Sequence, residues 1–224
     1  MTALQVIGGG RMGEALVGGL VRAGSISAGD IRVVEPLEGR RKELADLLPG
    51  VAVSDTPAAA DGTVIAVKPG DVPAACRSAA AAGSGRVLSI AAGVTLAALE
   101  ADLSPGTAVV RAMPNTPALV GVGAAAIAAG SAAGDDDLVW AESLLGAVGI
   151  VVRVKEPLLD AVTGLSGSGP AYVFLVAEAL IDAGVLSGLP REVSAALATQ
   201  TLLGAATLLA EGTDGPEVLR AGVT

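Results

Sequence analysis

The 224-residue chain is long enough for one large domain or two modest ones, and its composition, 52% hydrophobic but 1% aromatic, calls for a core of Ala, Val, Leu and Ile brought close by glycine. A net charge of −9 and the lack of any basic run interleaved with aromatics exclude nucleic acid as the expected partner. With one cysteine, Cys76, and no histidine, the sequence also excludes a disulfide framework, a Cys/His zinc site and imidazole acid-base chemistry.

From residue 4 to about residue 154, short β-branched runs alternate with Ala-rich helical stretches, the pattern of a parallel sheet with crossover helices. Strands are predicted at residues 5–7, 31–34, 63–67, 87–90 and 108–111, and helices at 13–23, 39–48 and 72–82. The first strand runs into Ile7-Gly8-Gly9-Gly10-Arg11-Met12-Gly13, whose Gly-x-Gly-x-x-Gly spacing lets a chain turn tightly and bring backbone amides to a pyrophosphate. Gly8–Gly10 also interrupt the only early apolar run, so no secretory signal is read and a cytoplasmic address is expected. Glu35 falls about 20 residues further on, where an acid normally meets the ribose hydroxyls and favours NAD. Arg40, Arg41 and Lys42 follow, either as a 2′-phosphate site suited to NADP or as the solvated start of a helix.

Ala66-Val67-Lys68-Pro69 and then Ile90-Ala91-Ala92 close two further strands, where ligands of open α/β sheets bind. Lys68 there reads as a cofactor-facing cation or as a snorkelling surface side chain. The uncharged stretches 112–134 and 193–210 are broken by Pro114, Asn115, Pro117 and glycines, or by Ser194, Thr199, Gln200, Thr201 and Thr207; both read as buried protein segments, and no membrane partner is expected. After Val154, Lys155-Glu156-Pro157 punctuate the chain and no strand-like run follows, only helices at about 169–185 and 191–209 around Ser187-Gly188-Leu189-Pro190. The domains expected are 1–157 and 158–224. Ser168 suits a helix N-cap and Pro170 a first helical turn.

The strings IGGGRMGEAL, AVKPGDV, SIAAGVT, RAMPNTPALV and DAVTGLSGSGPAYVF, followed by GLPRE, resemble the pyrroline-5-carboxylate reductase family in order and spacing over nearly the whole chain. The resemblance implies an α/β protein with an N-terminal Rossmann dinucleotide-binding domain followed by an all-α dimerisation domain. It implies NAD(P)H-dependent reduction of a cyclic imine to proline, a small-molecule substrate, and self-association as a dimer or a multiple of dimers. NADP is the expected cofactor, with NAD possible because of Glu35. Contacts to it are implied at Ile7, Gly8, Gly9, Gly10, Arg11, Met12 and Gly13, at Ala66, Val67, Lys68 and Pro69, at Ile90, Ala91 and Ala92, and, near the nicotinamide, at Asn115. Glu156 matches a glutamate at the family's substrate site, although its residue context alone reads as a solvated hinge charge.

Three departures accompany the resemblance. Glu35-Pro36-Leu37 stands where members often carry small polar residues, and residues 51–60 lack an asparagine that some members use on the cofactor. At Thr224 the family continues with a Ser-Pro-Gly-Gly-Thr-Thr loop and further helices, so the helical domain is expected to be incomplete; were Thr224 the true end, cofactor binding would outlast efficient turnover. Reduction of a protonated imine would not need histidine, because its carbon is already electrophilic and orientation does most of the work. The family's loop would grip the substrate carboxylate, with Glu156 nearby. A β-hydroxyacid dehydrogenase of the same architecture would want a lysine in the helical domain, which has none beyond Lys155. A non-catalytic nucleotide-binding scaffold would bind cofactor without turnover.

Overall fold

A computed structural model describes residues 2–223 and divides them into two compact units, one ending at Pro170 and one beginning at Ala171. In the first unit the chain runs β1 (Thr2–Ile7), α1 (Arg11–Ala23), β2 (Ile31–Val34), α2 (Glu38–Leu47), β3 (Ala52–Ser54), β4 (Ala60–Ile65), α3 (Val72–Ala81), β5 (Arg86–Ser89), α4 (Leu96–Ala101) and β6 (Ala108–Met113). It continues through β7 (Gly123–Ala129), α5 (Asp135–Leu145), β8 (Gly149–Arg153) and α6 (Leu159–Val162).

One sheet holds all these strands in the order β3-β2-β1-β4-β5-β6-β7-β8. β1 to β6 are mutually parallel, and the order reverses around β1, so a crevice opens beyond the C-terminal ends of β1 and β4. Adjacent residues feed opposite faces: Val33, Val64, Leu88 and Val110 enter one core, while Val34, Ile65, Val87 and Val109 enter the other. That two-sided burial is why these strands are almost wholly apolar.

The sheet is not parallel throughout, which corrects the expectation from the alternating pattern. β7 runs antiparallel to β6, and β8 lies parallel to β7. Only a 3-10 turn, Thr116–Val120, and a left-handed Gly121 (φ +79°) join β6 to β7, too little chain for a parallel crossover. Within the uncharged stretch at 112–134, β7 is a mostly buried strand with Ile127 fully buried, whereas much of the turn before it is exposed. Arg153 ties β8 to α5 through Glu142 (2.6 and 2.7 Å) and Asp135.

The second unit contains most of α7 (Gly169–Leu186), with α8 (Arg191–Glu211) and α9 (Pro216–Ala221). Pro170 lies in the first turn of α7, as expected. Ser168 does not act as a separate extended N-cap: its backbone is helical (φ −88°, ψ −10°), because a π turn at Thr163–Gly167 leads into the helix. α7 and α8 approach closely where Gly184 faces Ser194, whose hydroxyl donates to Ile181 O at 2.7 Å. Phe174, Leu175, Leu186, Leu203 and Leu208 are each more than half exposed. By length and composition alone, the helical stretches Glu156–Leu186 and Arg191–Glu211 are apolar enough to cross a membrane.

Candidate functional site

The glycine loop leaves the sheet at the reversal point. Gly8 N–H donates to Val34 O (2.9 Å), and Ala66 N–H donates to Ile7 O (2.8 Å), so the loop is framed by the ends of β2 and β4. Gly8 has φ +111°, and a Cβ there would lie 2.4 Å from Ala66 O; at Gly13 a Cβ would lie 2.2 Å from Gly8 O. At Gly9 it would meet Leu44 Cδ1 at 2.4 Å and Glu35 Cβ at 3.1 Å. Gly10 differs: nothing stands within 4 Å of its would-be Cβ. Gly10 is also the N-cap of α1, extended at φ −70° and ψ 179°, and supplies no side chain to the first-turn amides of that 13-residue helix. The open space at Gly10 and the positive end of the helix, whose first-turn amides have no acceptor within the helix, fit a pyrophosphate.

Glu35, just after β2, is 8% exposed and turned inward. Its Oε2 accepts from Gly9 N–H and its Oε1 from Leu37 N–H, both at 3.0 Å. The three basic residues that follow separate in role. Arg40 donates Nε to Gly9 O (2.8 Å) and pairs with Glu14 and Glu43, which together hold its pKa above the ordinary value. Lys42 pairs with Glu38 at 2.8 Å. Arg41 instead rests on two main-chain carbonyls, Glu35 O (3.0 Å) and Pro36 O (2.7 Å), with no carboxylate partner among the described residues.

The loops after β4 and β5 reach the same edge of the sheet, since Ile7 is in register with Ile65 and Ile65 with Ser89. Arg11 and Met12 open α1 beside them, Arg11 exposed and Met12 half-buried. Ala66 and Val67 are half-buried, whereas Lys68 and Pro69 are exposed. Ile90 N–H donates to Ile65 O (3.1 Å), Ala91 is buried and Ala92 is exposed. A cavity of about 410 Å³ lined by Asp61, Gly85, Arg86 and Asp137 lies at the other, N-terminal edge of β4 and β5, away from these loops.

Asn115 and Glu156 bind other parts of the protein. Asn115 Oδ1 accepts from Ala124 N–H (2.8 Å), and its Nδ2 donates to Ser166 O (3.0 Å), bridging β7 and the π turn. Glu156 Oε1 accepts from Leu96 N–H at 2.6 Å and from Arg111 Nη1 at 2.8 Å. The reading of Glu156 as a solvated hinge charge is therefore corrected: it neutralises a 6% exposed guanidinium in β6. Arg111 was missed in the sequence, where its signal is a lone cation within the apolar strand AVVRAM. Cys76 is fully buried in α3, and burial, with a smaller push from Asp102 against Arg77, raises its thiol to about 11.

Comparison with known proteins matches residues 156–224 to the family described as pyrroline-5-carboxylate reductase dimerisation, and residues 3–93 to the family described as NADP oxidoreductase, coenzyme F420-dependent. The chain is 42% identical to pyrroline-5-carboxylate reductase of Corynebacterium melassecola over 232 aligned residues, covering all of this chain and 86% of that relative. This chain belongs to the pyrroline-5-carboxylate reductase family. A pyrroline-5-carboxylate reductase structure from Coxiella burnetii superimposes with a TM-score of 0.92 at 35% identity, covering 100% of this chain and 86% of that one. The Plasmodium falciparum pyrroline carboxylate reductase, solved with NADP bound, gives 0.83 at 27% identity, covering 100% and 84%. Family membership makes the chain an oxidoreductase with a pyridine-nucleotide site, and the dimerisation segment makes it self-associating.

Proposed function

We propose that this protein reduces 1-pyrroline-5-carboxylate to L-proline with NADPH, the last step of proline biosynthesis. This reading is supported by the 42% identity to a pyrroline-5-carboxylate reductase over the whole of this chain, joined to open space at Gly10 beside glycines that the fold itself requires. When bound, the reduced nicotinamide supplies hydride to the imine carbon.

The chain's own residues bind and orient. Amides of Gly10, Arg11 and Met12 hold the pyrophosphate at the start of α1; Ala66, Val67, Lys68 and Pro69 line one wall, and Ile90, Ala91 and Ala92 the other. A protonated imine carbon is already electrophilic, so a site without histidine or a thiolate is chemically adequate. NADP is favoured over NAD because the Glu35 carboxylate is turned to Gly9 and Leu37, while Arg41 lies at the same corner without a carboxylate and is available to a 2′-phosphate.

We further propose residues 1–157 as the dinucleotide domain and residues 158–224 as the dimerisation domain, whose apolar helices meet a second copy instead of a membrane. No nucleic-acid role is proposed, given the net charge of −9. A cytoplasmic setting suits a chain whose single cysteine is buried. A spectrophotometric assay of NADPH loss with pyrroline-5-carboxylate, with proline measured in parallel, tests the reading: imine-dependent loss matched by proline is expected, and cofactor binding without imine-dependent loss would refute it.

A further inference from the structure

The loop joining β5 to α4 is pinned at both ends. Its start follows the sheet, with Ile90 N–H donating to Ile65 O at 3.1 Å. Its far end is the Leu96 N–H, held by Glu156 Oε1 at 2.6 Å, and that oxygen also receives Arg111 Nη1 at 2.8 Å. Arg111 stands within β6 in register with Ser89 of β5 and with Ala128 of β7, so the pin rests on the middle of the sheet and not on a mobile surface segment. A guanidinium buried to 6% exposure needs its carboxylate, and removing Glu156 from this position would strand it. Rotating the Glu156 Oε1 atom away from this position would break both bonds.

We propose that Glu156 is a positioning residue that, with Arg111, sets the loop at residues 90–96, whose Ile90, Ala91 and Ala92 backbone faces the nicotinamide. The identity of what this loop faces rests on the reductase reading; the strut itself does not.

Glu156→Gln, Arg111→Met and the double variant test this by hydrogen exchange of the 90–96 amides in cofactor-free protein, by direct NADPH titration and by steady-state kinetics. Faster loop exchange is expected in both single variants, with NADPH affinity retained. Each should lose about tenfold in kcat with KM for the imine held within about twofold. The double variant should be no worse than the worse single one, because the two residues act as a unit. Arg111→Lys, which keeps a cation, should regain part of kcat, and with Glu156→Gln it carries the comparison if Arg111→Met does not fold. The proposal is overturned if Glu156→Gln raises KM for the imine about tenfold at unchanged kcat while loop exchange stays at the parent's rate and Arg111→Met has no effect. If the parent itself consumes no imine, the reductase reading fails, and the exchange data alone decide the strut.

Discussion

Gly8, Gly9, Gly10 and Gly13 are neighbours in sequence but meet different demands. Gly8 and Gly13 are required by backbone atoms 2.4 and 2.2 Å from where a Cβ would stand, and Gly9 by the packing of Leu44. Only Gly10 opens onto free space. Gly13→Ala should therefore cost about 2 kcal/mol or more in stability. Gly10→Val should melt near the parent's temperature yet bind NADPH at least about tenfold more weakly. Parallel thermal melts and cofactor titrations check the pair; equal loss of stability in both variants would remove the division of roles. The motif was legible because its spacing falls directly after the first strand and opens a helix, but which glycine serves the ligand was not, since that depends on atoms of Ala66 and Leu44. Arg111 and Glu156 show the same limit, being 45 residues apart and joined only by folding. Cys76 is a further residue-scale case: with its thiol raised to about 11, it should resist iodoacetamide at pH 8 until the protein is denatured. Rapid alkylation of the folded protein, read by mass, would contradict its placement.

At the scale of elements, strands carried by β-branched residues were plain in the sequence, and β2 at Ile31–Val34 has the bounds expected. β7, with sequence GAAAIAA, was not, because alanine has weak strand preference and only pairing with β6 and β8 makes it extended. The corner between β2 and α2 shows how folding divides three adjacent cations: Arg40 braces Gly9, Lys42 pairs along its helix, and Arg41 rests on carbonyl oxygens. Arg41→Ala should weaken NADPH binding about tenfold and leave NADH within about twofold. Isothermal titration with both cofactors measures this, and an equal loss for the two would place cofactor choice elsewhere. The expected strand-end contacts at Lys68 and Ala92 are exposed at this edge, whereas Asn115 is committed to Ala124 and Ser166, a bond pattern that no sequence spacing reveals.

For the whole molecule, α7 and α8 leave Phe174, Leu175, Leu203 and Leu208 more than half exposed in a single copy, within the segment that matches the family's dimerisation domain. An apolar surface of this kind needs a partner. Sedimentation at micromolar concentration should find a dimer or a multiple of it without detergent, and a detergent-dependent or purely monomeric species would contradict the dimer reading. The helical character of this segment was legible from the loss of strand-like runs after Val154 and from the break at Ser187-Gly188-Leu189-Pro190; the strut at Glu156 was not, since it depends on contacts distant in the chain. Reduction of the imine is the activity on which all of these expectations converge. Its most direct measurement is the stoichiometry of NADPH consumed and L-proline formed from pyrroline-5-carboxylate by the parent and by Gly10→Val. One proline per NADPH from the parent, lost in the variant at subsaturating cofactor, is the expected result; tight NADPH binding by the parent with no proline formed would contradict it.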